Sequence, residues 1–125
     1  MASLTELIDK LARPPEDIRA DNLRHWVSTI PGVVPIADLV PRSRSRVAGV
    51  VQNIRIDPRA GSGSIEATII DGSGEMVVKW LGRNSLSGVR LGIGLVVEGT
   101  IGSAPNGDLS VLNPEYELVV GPEHG

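Results

Sequence analysis

A chain of 125 residues with 41% hydrophobic and 22% charged side chains has the size and balance of one globular domain and is too apolar to be disordered throughout. It has no cysteine, and its two histidines, His25 and His124, stand far apart, which excludes disulfides, thiolate chemistry, zinc knuckles and iron–sulfur clusters and leaves no His-based metal motif. The net charge of −3 would argue against a polyanionic partner if it were spread evenly, but residues 1–41 carry −2, residues 42–90 carry +4 and residues 91–125 carry −5.

In chain order, Ser3-Leu4-Thr5-Glu6 has capping-box spacing, and Leu4, Leu7, Ile8 and Leu11 recur at helical intervals. This predicts a short amphipathic helix, ended by Arg13-Pro14-Pro15. A second helical stretch is expected from about Glu16 to Trp26, with Ile18, Leu23 and Trp26 as its apolar positions and Trp26 pinning the segment to the rest of the fold. Pro31-Gly32 and Pro35 mark an irregular approach, in which Ile36 and Leu39 tuck in as an apolar pair.

From Arg44 the apolar period changes to two, the mark of half-buried strands. A long strand is predicted over 46–56, with Gly49 at its middle, where a strongly coiled strand needs a glycine or a bulge. A partly basic loop runs from Asp57 to Ser64, followed by a strand over 65–70, a hairpin turn at Asp71-Gly72-Ser73-Gly74 and a strand over 75–81. Residues 82–88 hold at most a turn or a short helix. A strand over 94–102 follows, then a turn at Ala104-Pro105-Asn106-Gly107-Asp108. A last strand starts at Leu109, breaks at Asn113-Pro114 and resumes over 116–120.

A long bent strand, a hairpin, a short connection and a second hairpin predict an all-β fold with an N-terminal helix, a five-stranded OB-fold Greek-key barrel. A short mixed β-sandwich is the competing architecture. Residues 1–35 form a helical and irregular extension on this reading, 36–120 the barrel and 121–125 a frayed tail. With three aromatic residues and no Phe, the core falls to Val, Ile, Leu and Ala.

Val47-Ala48-Gly49-Val50-Val51, Ala67-Thr68-Ile69-Ile70-Asp71-Gly72-Ser73-Gly74, Trp80-Leu81-Gly82-Arg83, Gly94 with Val96-Val97-Glu98-Gly99, and Asn113-Pro114-Glu115-Tyr116-Glu117 carry a resemblance. In these segments the chain resembles the small OB-fold nucleic-acid-binding proteins of actinobacteria, the high-GC Gram-positive bacteria. It is also similar to the OB wedge domain of a branch-migrating DNA helicase and, more distantly, to anticodon-binding OB domains of aminoacyl-tRNA synthetases. The resemblance covers roughly residues 36–120 and implies binding of single-stranded or branched nucleic acid without catalysis; no cofactor is expected. One departure is the turn over 103–108, which has no basic residue and one acid, whereas the turn between the last two strands of such barrels usually helps to clasp the ligand.

The candidate contacts are basic. Arg42, Arg44 and Arg46 alternate with serines, so on an extended chain all three project from one face at a spacing of about 7 Å, near the phosphate repeat. The same row also suits an edge strand charged against aggregation. Arg55 and Arg59 flank the first loop of the barrel, and Lys79 and Arg83 lie at the end of the third strand. Trp80 is either a platform on which bases stack or a barrel-end core residue, and its alternation with Met76 and Val78 points it inward. A non-catalytic protein is expected that binds single-stranded DNA or RNA with weak sequence preference through a groove lined by these arginines, Lys79 and Trp80. The rival is a protein-interaction module that docks its barrel and N-terminal helix on a larger partner. No apolar run is long enough for a membrane span and the first residues do not resemble a signal peptide, so a cytoplasmic protein is expected.

Overall fold

The computed structural model describes residues 15–57, 63–83 and 85–122, with side chains from Arg19 onward. The helix expected near the N-terminus and the candidate Arg59 lie outside the described residues. Helix α1, Pro15–Ser28, opens on a proline, which the first turn tolerates because its N–H has no helical partner. It tightens at its end, where Thr29 and Ile30 donate to the carbonyls of Trp26 and Val27 at 3.0 Å. A 3-10 turn over Ile36–Asp38 then buries Ile36, and Leu39 is buried beside it, the apolar pair expected there.

Six strands follow: β1 Arg44–Asp57, β2 Ser64–Ile70, β3 Glu75–Leu81, β4 Gly94–Ser103, β5 Leu109–Leu112 and β6 Glu115–Val119. Pairing runs β1-β2-β3-β5-β4 and returns from β4 to β1, and β3 and β5 are parallel while the other neighbours are antiparallel. The return to β1 closes a five-strand OB-fold barrel and rules out a sandwich of two sheets. Strand β1 serves both sides of the closure. Arg44–Val50 face Gly94–Thr100 of β4, whereas Val50–Asp57 face Ser64–Ile70 of β2. Two features let it bend. A Cβ on Gly49 would lie 2.9 Å from Ile69 Cβ and 3.0 Å from the Ile70 carbonyl, and a bulge falls between Val51 and Asn53.

β5 and β6 are the two halves of the interrupted last strand. Val111 lies opposite Ile101 and Glu115 opposite Glu98, so one strand advances four residues while its partner advances three. The extra residue is absorbed at Asn113-Pro114, where Asn113 takes a φ of 49°, a conformation that asparagine tolerates better than most side chains.

The barrel interior is aliphatic, built from residues such as Val47, Val51, Ile69, Met76, Val78 and Leu95 and closed at one end by Trp80. A second cluster lies outside it, where Leu23, Trp26 and Val27 of α1 cover Ala48, Val50 and Val96 on the outer face of β1 and β4. The indole N–H of Trp26 donates to the Val120 carbonyl at 2.9 Å, the pinning expected of this residue. No helix among the described residues is long and apolar enough to cross a membrane.

The β2–β3 turn ties these layers together. Gly72 has a φ of 86° and its carbonyl accepts from Arg24 Nη1 at 2.6 Å. A Cβ there would sit 2.2 Å from the Ala20 carbonyl oxygen. Gly72→Ala is therefore expected to destabilise the fold by about 2 kcal/mol or more in urea unfolding, from left-handed strain and from pushing α1 off the hairpin. A loss below about 0.5 kcal/mol would contradict this helix–hairpin contact.

Candidate nucleic-acid interface

Alternation along four neighbouring strands builds one outer face. Met76, Val78 and Trp80 are buried inside the barrel, so Val77, Lys79 and Leu81 of β3 point outward. Pairing then aligns Asn53, Thr68, Val77 and Ser110 in one row across β1, β2, β3 and β5, and Arg55, Glu66, Lys79 and Leu112 in the next. Asn53, Arg55, Leu81 and Leu112 are exposed, and the others are half-buried. Lys79 Nζ lies 3.4 Å from Glu66 Oε1, a partly exposed pair of small energetic weight. Arg83 is exposed just past β3, after Gly82, whose N–H donates to the Gly63 carbonyl at 2.7 Å. Asp57 pairs with Ser64 at the same end. The face thus sets Arg55, Lys79 and Arg83 against Glu66 and Asp57, a weakly positive surface with apolar patches at Leu81 and Leu112.

The structure divides the basic residues expected to line a single groove. Arg42 precedes β1 with a φ of 73° and donates its N–H to the Ile101 carbonyl at 2.7 Å, so it does not continue an extended row with Arg44 and Arg46. Arg44 pairs with Glu98 at 3.1 Å and Arg46 with Glu117 at 3.4 Å. Both stand on the outer face of β1, β4 and β6, beside the patch that α1 covers. Arg44 and Arg55 occupy opposite halves of β1, up to about 36 Å apart along an extended strand. The half of β1 that carries Arg44 and Arg46 belongs to the β4 side of the barrel, and their charges are neutralised there.

Trp80 is corrected as a stacking platform. It is 3% exposed, its indole N–H donates to the Pro114 carbonyl at 3.2 Å, and Tyr116 meets it edge-on at 5.5 Å between ring centroids. It is a barrel-end core residue because a chain so poor in aromatics has little else of that volume to close the end.

Three residues of this region carry no basic or aromatic signal and are placed by pairing alone. Leu112 and Ser110 reach the outer face through the parallel β3–β5 register. Asn113 clamps the kink to β3, its N–H donating to the Lys79 carbonyl at 2.7 Å and its Oδ1 accepting the Leu81 N–H at 2.8 Å. Beside this clamp an open depression of about 540 Å3 lies between the β3 exit and the β5–β6 kink. The turn over residues 104–108 is closed by backbone bonds between Ala104 and Asp108 and between Gly107 and Ala104, with Asn106 and Asp108 bonded to each other. It presents no cation. Among the described residues, no group of three or more His, Asp and Glu side chains is placed to hold a metal ion.

Residues 46–119 match the family described as OB-fold nucleic acid binding domain. Among solved structures, the chain is similar to a replication factor A related protein from Methanobacterium thermoautotrophicum, with a TM-score of 0.57 and 21% identity over 74% of this chain and 94% of that one. It is also similar to RecG bound to a three-way DNA junction, with a TM-score of 0.53 and 20% identity over 74% of this chain and 13% of that one. These likenesses are of fold. No curated protein matches the chain.

Proposed function

Because the chain belongs to the family of OB-fold nucleic acid binding domains, we propose that it binds single-stranded DNA or RNA, without catalysis, across the outer face of β1, β2, β3 and β5. The observation that carries this reading is the two-row ladder, with Arg83 just past its β3 strand, which lies on a different part of the barrel wall from the patch covered by α1. Arg55, Lys79 and Arg83 meet phosphates, and Arg59, four positions beyond Arg55 in the sequence, is a further candidate contact outside the described residues. Leu81, Leu112 and Val77 offer apolar contact to bases. With Trp80 buried, base stacking contributes little on this face, so affinity rests on counterion release and sequence preference is weak. The protein works in the cytoplasm, where such strands are found.

A titration of labelled single-stranded DNA, duplex DNA, a three-way junction and RNA, followed by fluorescence anisotropy at low and physiological salt, tests this reading. Micromolar binding that favours a single strand and weakens with salt is expected. Absence of binding to all four at low salt would overturn it and favour the rival reading, a module that docks on a larger protein partner.

A further inference from the structure

The depression between the β3 exit and the β5–β6 kink is a built feature. The Gly82–Gly63 bond holds one wall, the two Asn113 bonds to Lys79 and Leu81 hold the other, and the Trp80–Pro114 bond ties the kink to the core. Its lining includes Trp80 and Tyr116, the only two aromatic residues of the barrel strands, and Tyr116 is half-buried. Arg83 and Glu115 also line it, both exposed. Neither has a side-chain partner among the described residues, whereas Arg44, Arg46 and Lys79 are each ion-paired. A donor-only guanidinium and an acceptor-only carboxylate therefore share a rigid, partly aromatic recess at the end of the proposed strand-binding face.

The geometry points to a single unstacked guanine base as the occupant of this recess, a reading that rests on the proposed binding of single strands across the adjoining face. Guanine offers two adjacent donors, N1–H and the N2 amine, to one carboxylate, and two acceptors, O6 and N7, to one guanidinium. Adenine and cytosine offer an exocyclic amine without the adjacent ring N–H. Thymine and uracil flank their single N–H with carbonyls that a carboxylate repels. The half-buried Tyr116 ring supplies the apolar contact that an extruded base needs. The protein therefore combines a sequence-tolerant face with one base-selective position.

The test is an anisotropy comparison of a twelve-residue all-thymine DNA with the same strand carrying one central guanine, adenine or cytosine, using the native protein and Glu115→Gln. The native protein is expected to bind the guanine strand about tenfold more tightly than the all-thymine strand. The adenine and cytosine strands gain about twofold or less. In Glu115→Gln, an exposed substitution, the guanine advantage falls to about twofold or less. Equal binding of all four strands by the native protein, or a guanine preference that survives Glu115→Gln, would overturn the inference and leave single-strand binding in place. Failure to bind any strand would overturn both.

Discussion

Reversing two charges together, Arg55→Glu with Lys79→Glu, is expected to lower affinity for single-stranded nucleic acid on the order of 100-fold at low salt. The two residues stand in one cross-strand row with Glu66 between them, so the double reversal turns the centre of the face from weakly positive to strongly negative. The slope of log K against log salt should flatten in the same variant, because fewer counterions are released on binding. Arg44→Gln with Arg46→Gln is the matched control. These arginines already face Glu98 and Glu117, and their loss is expected to change affinity by less than about threefold. The opposite ordering of the two double variants would move the binding surface to the β1–β4–β6 side of the barrel.

The largest stability effect is expected at Asp71, the one buried charged residue among the described residues, 1% exposed. Its Oδ1 accepts from the N–H of Ser73 at 2.8 Å, the Ser73 hydroxyl at 2.7 Å and the N–H of Gly74 at 3.1 Å. Its Oδ2 accepts the N–H of Ile36 at 2.8 Å. The carboxylate therefore shapes the β2–β3 turn and also ties it to the 3-10 turn that leads into the barrel. Asp71→Ala leaves several buried donors without partners and is expected to cost about 3 kcal/mol, roughly 10 °C in Tm. Asp71→Asn keeps one acceptor oxygen and should lose about half as much. Differential scanning calorimetry of the pair checks this, and an alanine variant within about 0.5 kcal/mol of the native protein would contradict it.

Much of this architecture was legible because it is written in local pattern. The period-two run placed β3 at Glu75–Leu81 with Met76, Val78 and Trp80 inward, and the break at Asn113-Pro114 marked the kink that divides β5 from β6. Asp71-Gly72-Ser73-Gly74 announced a hairpin turn. Long-range partnership was not legible. That Glu98 and Glu117 neutralise Arg44 and Arg46 depends on a register between strands some fifty to seventy positions apart, and no periodicity reports it. The bond from Asp71 to Ile36 spans 35 positions and is equally invisible in the turn motif. The same holds for the recess: Glu115 and Arg83 line it together only because β5 lies parallel to β3 and the last strand then kinks. Composition identified the basic segment, and only the closure of the barrel separated the ion-paired Arg44 and Arg46 from Arg55 and Arg83, which have no ion pair among the described residues.

The most direct test of the central claim is a two-dimensional amide NMR titration of the isotope-labelled protein with a short single-stranded oligomer. The account predicts shift changes along Asn53–Asp57, Ser64–Thr68, Val77–Arg83 and Ser110–Glu115, with Arg44–Ala48, helix α1 and Glu117 left unmoved. Changes centred on Arg44, Arg46, Glu98 and Glu117, with the outer face of β2 and β3 silent, would contradict it.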